Sequence, residues 1–88
     1  MAGFFMTYVC YIIFSKKLDR YYVGYTEDIE KRLVQHNTGI SQFTAKASDW
    51  VIVYTEPFDC RKDAFDRERF IKKKKSRKYI ESLIRRST

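Results

Sequence analysis

The sequence predicts an α+β fold, a small three-stranded antiparallel sheet flanked by helices in the order β-β-α-β-α-α. Three observations predict it. An aromatic and β-branched run near the start, Tyr8–Phe14, is followed by a polar turn and a second run of the same character. A third run, Trp50–Phe58, alternates Trp50, Ile52 and Tyr54 against Val51, Val53 and Thr55. Between and after these runs, apolar residues recur at helical spacing within charged sequence. The 88 residues read as one domain, 1–88, with 44% apolar residues to supply its core.

The first strand, Tyr8–Phe14, is apolar throughout and is expected to be buried on both faces. Ser15–Asp19 is a polar turn, and Tyr21–Tyr25 returns beside the first strand as a hairpin. Gly24 inside that second strand marks a bulge or a close approach by another group. Thr26 is the expected N-cap of a helix over Glu27–His36, with Ile29 and Leu33 as its core stripe and Gly39 beyond its end. Residues 38–49 show no clean period and read as a long loop. After the Trp50–Phe58 strand, Asp59 caps a helix across Lys62–Lys75. Ser76 then starts a last helix, Arg77–Arg86, with the stripe Tyr79, Ile80, Leu83 and Ile84.

Composition narrows the function. The stretch Phe4–Phe14 is too short to span a bilayer, which takes about 20 residues. Its first cation, Lys16, follows it rather than precedes it, so it is not patterned as an export signal. Two cysteines, Cys10 and Cys60, and one histidine make neither a disulfide framework nor a zinc finger. Both thiols are expected to be reduced core residues of a cytoplasmic protein. The net charge of +7 is uneven: residues 1–60 hold six cations against seven anions, −1, and residues 61–88 hold twelve against four, +8. Such asymmetry points to a polyanion.

Three features sit where folding alone would not ask for them. Glu68 falls on the apolar row of its helix, between Ala64 and Ile71, where a carboxylate needs a cation, either a basic side chain such as Lys72 or a metal. Arg32 and His36 are four apart and share a helix face, with Asp28 as one available partner for Arg32. Tyr11 lies in the most apolar strand, and its hydroxyl must find a partner there.

Taken in order, these residues resemble a known family. Val9-Cys-Tyr11, then Tyr21 and Tyr22-Val-Gly24, are similar to the paired signature of the GIY-YIG endonuclease superfamily. Arg32-Leu33, His36-Asn37, Gly39, Thr44, the Trp50–Tyr54 strand and the helix with Ala64, Glu68, Ile71 and Lys72 extend the resemblance from about Tyr8 to Ile84. It is closest to the small single-domain type. Val9 and Cys10 stand where the family name has Gly and Ile, but the tyrosine is kept as Tyr11.

The resemblance implies a metal-dependent endonuclease acting on DNA, of weak sequence preference, with Tyr11, Tyr22, Arg32, His36 and Glu68 as catalytic residues. Glu68 would hold Mg²⁺ or Mn²⁺, which favour oxygen ligands. Tyr11 would be general base or water-positioner, Arg32 would clamp the scissile phosphate, and Tyr22 and His36 would orient water or phosphate. These groups are expected to converge on one concave face. Lys72, Lys73, Lys74, Lys75, Arg77 and Lys78 follow Glu68 directly and would grip the DNA backbone without reading sequence. Branched or flapped DNA is the expected substrate. Two alternatives stay open, a nucleic-acid-binding module with weak turnover and a nuclease domain targeted by a partner protein. No membrane partner is expected.

Overall fold

The structure, a computed structural model, describes residues 7–87. Phe4–Met6, at the head of the first apolar run, lie outside the described residues. The elements are β1 (Tyr8–Ser15), β2 (Arg20–Thr26), α1 (Ile29–Asn37), a 3₁₀ turn at Gln42–Thr44, β3 (Val51–Phe58), α2 (Arg61–Lys74) and α3 (Arg77–Arg86). The order is the expected β-β-α-β-α-α, with the 3₁₀ turn added inside the loop.

β1 is the middle strand of an antiparallel sheet ordered β2-β1-β3. Successive side chains of a strand point to opposite faces, so β1 serves two cores. Cys10 and Ile12 pack with Val23, Ile71 and Leu83, beneath α2 and α3. Tyr11 and Ile13 pack with Ala47 and Trp50, against Ile29 and Leu33 of α1. Burial of a side chain such as Ile71 or Leu83 contributes about 1.5–3 kcal/mol, which holds the helices to the sheet. No helix among the described residues is long and apolar enough to cross a membrane.

Several local expectations are corrected. Ser15 ends β1 rather than opening a turn; it is buried, and its hydroxyl donates to Asp49 at 2.6 Å. The N-cap of α1 is Asp28, whose carboxylate accepts from the Lys31 amide, while Thr26 closes β2 and bonds Asp28 instead. Cys60, not Asp59, occupies the N-cap position of α2, and it is exposed rather than in the core. Ser76 caps α3 as expected, accepting from the Tyr79 amide. The alternation of β3 breaks at a bulge: Ile12 faces Tyr54 and Ile13 faces Ile52, leaving Val53 unpaired between them. Trp50 therefore joins the Tyr11 core while Tyr54 joins the opposite one.

Candidate active site

Tyr11 comes from the middle of β1, Tyr22 from β2, and Arg32 and His36 from α1. Tyr11 is paired across the sheet with Gly24, and its ring lies against that residue, so its buried hydroxyl sits over the edge strand β2. Tyr22 faces the same way, because its partner Ile13 is on the Tyr11 side of β1.

His36 is fully buried and ties the cluster together. Its Nε2 lies 2.7 Å from the Tyr11 hydroxyl and its Nδ1 lies 2.7 Å from Oγ1 of Thr44. Thr44 in turn donates its hydroxyl hydrogen to the Ser41 carbonyl. That leaves Oγ1 free to accept, so Nδ1 carries the imidazole hydrogen and Nε2 accepts from Tyr11. Burial, with the nearby Arg32 charge, holds the His36 pKa down to about 4, so the ring is neutral near pH 7.

Arg32 is half-buried, and its Nη1 donates to Gln35 at 3.0 Å rather than to Asp28. Burial opposes its charge, but interaction with the Tyr11 and then the Tyr22 hydroxyl outweighs that and raises its pKa. Burial pushes the Tyr11 pKa up to about 12, with Arg32 working against the rise and the Tyr22 and Glu68 charges adding to it. The resting Tyr11 therefore keeps its proton. With its hydrogen committed to His36, its oxygen can accept from Arg32 or from a water.

Glu68 reaches this cluster from elsewhere. α2 packs on the opposite face of the sheet, through Ala64 and Ile71. Phe65 meets Tyr25 at 5.7 Å between ring centroids, and the Lys72 ammonium stands 5.4 Å from the Tyr22 ring. Seven helical residues at about 1.5 Å match three strand residues at about 3.3 Å, so Glu68 runs abreast of Gly24 and Val23 at the β2 edge. Tyr11, Tyr22, Arg32 and His36 thus come from one face of the sheet and Glu68 from the helix on the other, and around the β2 edge the Glu68 charge still acts on the Tyr11 hydroxyl.

The Glu68 side chain is only 12% exposed and pairs with Lys72 at 2.6 Å. Lys72 thus bridges the carboxylate to Tyr22. Among the described residues there is no group of three or more His, Cys, Asp or Glu that could hold a metal ion unaided. One carboxylate completed by waters and substrate phosphate is nonetheless a common Mg²⁺ arrangement, and the Glu68 carboxylate is a donor of that oxygen type.

The expected DNA-gripping residues divide. Lys75 lines the groove at the β2 edge together with Lys72. Lys74 stands over the rings of Phe70 and Tyr79. Arg77 is held by Asp19 at 2.7 Å and Glu81 at 3.1 Å, and so braces the β1–β2 turn against α3. Thr44 is the site residue the sequence did not single out for chemistry. Cys10 lies under α2 with its thiol pushed up to about 12 by burial, which makes it inert.

Known proteins include relatives of this chain. The model of the GIY-YIG catalytic domain matches residues 7–80. The chain is 42% identical over 52 residues to a UPF0213 protein of Staphylococcus saprophyticus, covering 58% of this chain and 63% of that one. It is 38% identical over 53 residues to a UPF0213 protein of Halobacterium salinarum, covering 59% and 69%. The match thus spans less than two thirds of the staphylococcal relative's length. The solution NMR structure of a UPF0213 protein from Bacillus halodurans is similar with a TM-score of 0.55 and 29% identity, over 90% of this chain and 83% of that one.

Proposed function

The chain belongs to the GIY-YIG catalytic-domain family, a nuclease superfamily, and on that premise we propose that it is a metal-dependent endonuclease hydrolysing phosphodiester bonds in DNA. The observation that carries this reading is the buried relay from Tyr11 through His36 to Thr44, with Arg32 at its open end. A fold needs no such chain at that depth, where each polar group must be matched to avoid a desolvation cost.

Phosphodiester hydrolysis needs a positioned water, a neutralised phosphate and a stabilised leaving oxygen. His36 fixes the direction of the Tyr11 hydroxyl and occupies its hydrogen. The Tyr11 oxygen then accepts from the attacking water and orients it. With the Tyr11 proton held so firmly, water-positioning is favoured over a free tyrosinate acting as base. Arg32 offers a permanent planar charge to the scissile phosphate, and Tyr22 lines the approach. Glu68 is assigned to a Mg²⁺ or Mn²⁺ ion, which when bound supplies charge neutralisation and a more acidic water. Lys72 would leave Glu68 for a DNA phosphate as that ion arrives.

Lysines 72–75 and Lys78 contact phosphates, which fixes position without reading bases. Selection is therefore assigned to DNA shape, with branched or flapped substrates preferred. The test is a nicking assay on duplex, flapped and branched DNA with Mg²⁺, with Mn²⁺ and with EDTA. Cleavage that is metal-dependent and strongest on non-duplex DNA is expected; no cleavage of any substrate would overturn the proposal.

A further inference from the structure

Phe43 is 75% exposed, the most exposed of the large apolar side chains described. It is not on a loose loop. Its neighbour Thr44 is fully buried, bonded to His36, and its carbonyl accepts the Trp50 indole N–H at 2.9 Å. The 3₁₀ turn is thereby pinned beside the catalytic cluster with Phe43 pointing outward, its ring 6.0 Å from that of Tyr22.

The groove in front of Phe43 runs along the free edge of β2. One part, about 470 Å³, lies between Tyr22 and Phe43 on one side and Lys72, Lys75 and Ile80 on the other. It continues past Tyr21 and Arg20 toward Lys46 and Trp50. Lys75 projects into it from a left-handed backbone position, φ 47°, where glycine would be less strained. Aromatic rings interleaved with cations along a groove match single-stranded nucleic acid, whose bases stack while its phosphates pair. Blunt duplex covers its base faces everywhere but at its two ends, so an exposed ring gains nothing along its length.

We infer that this groove holds an unpaired stretch of DNA strand, with one base stacked on Phe43, next to the phosphate that is cut. The inference rests on the nuclease reading for the position of that phosphate, but not for the binding itself. Phe43 is then a specificity-determining residue that selects substrates with an unpaired strand.

The test is fluorescence anisotropy with labelled single-stranded DNA and with blunt duplex of the same sequence, in EDTA so that no turnover intervenes. Wild type is expected to bind the single strand more tightly than the duplex. Phe43→Ala should weaken single-strand binding by at least about fivefold, the lower end of base–aromatic stacking. Duplex binding should not change, and Phe43→Trp should restore the single-strand affinity. Unchanged single-strand affinity in Phe43→Ala, or an equal loss on both ligands, would overturn the inference. So would self-association of the wild type that Phe43→Ala abolishes without changing DNA affinity, since that assigns the ring to a second copy of the chain. A protein that never nicks DNA yet passes this test keeps the groove and loses the nuclease reading; one that nicks but fails it does the reverse.

Discussion

A Cβ atom added to Gly24 would lie 2.5 Å from the hydroxyl oxygen of Tyr11 and 2.7 Å from the ring carbon that bears it. The two residues are cross-strand partners, and the second strand gives up a side chain so that the Tyr11 ring and hydroxyl can lie over it. Gly24→Ala should therefore force the ring aside. The expected cost is about 1–3 kcal/mol, as for other overpacked sites, and each kcal/mol lowers Tm by about 4–8 °C in a domain of this size. Thermal unfolding of the variant checks it, and a wild-type Tm would mean the ring has room to move.

Tyr11→Phe keeps the ring and removes only the hydroxyl. Turnover should be lost, because nothing then orients the water. His36 Nε2 would be left buried without its donor, at about 1–3 kcal/mol. Parallel cleavage and denaturant titrations check both halves. Wild-type turnover would demote Tyr11 to a core aromatic.

His36 also makes stability depend on pH. Its folded pKa is lowered to about 4, against about 6.5 in an unfolded chain. Between those values the unfolded chain binds a proton that the folded one refuses. Stability is therefore complete above about pH 6.5 and falls as pH drops toward 4, by up to about 3 kcal/mol. His36 is the single histidine of the chain, so the part of this slope above the carboxylate range belongs to it. Denaturant unfolding at roughly pH 7 and 5 measures it; equal stabilities would contradict a buried neutral ring.

Much of this site is legible in the sequence because depth and charge conflict there. A tyrosine within Val9–Phe14 and a carboxylate between Ala64 and Ile71 both stand out against an apolar pattern. Gly24 stands out for the same kind of reason, as a residue with poor strand propensity inside a strand. Thr44 and Phe43 do not stand out, because residues 38–49 have no period and the 3₁₀ turn acquires meaning only through His36 and Trp50. The caps illustrate a nearer limit: Thr26 and Asp28 are both good N-cap residues, and the choice is made by where β2 ends. The bulge in β3 is likewise set by pairing with Ile12 and Ile13, which the alternation of Trp50–Phe58 does not reveal.

The basic C-terminal third should neutralise most of the phosphates, since residues 61–88 hold twelve cations against four anions. Replacing Lys73, Lys74 and Lys75 together with Gln should weaken binding to all sequences alike. It should also flatten the log–log salt dependence by about 0.9 for each phosphate of duplex DNA that is no longer neutralised. Binding titrations across a salt series check this. Loss of preference for one sequence, with general affinity kept, would contradict a grip confined to the backbone.

The account turns on Glu68 as the metal-holding carboxylate of a nuclease. Glu68→Gln keeps the side chain's size at a site that is only 12% exposed, but removes the charge that Lys72 pairs with and that a dication would require. The deciding measurement compares wild type and Glu68→Gln for nicking of a branched DNA across a Mg²⁺ titration, with DNA affinity measured in parallel. The account predicts cleavage by wild type that rises with Mg²⁺, and none by Glu68→Gln at an affinity close to wild type. Equal, metal-dependent cleavage by both proteins would contradict it.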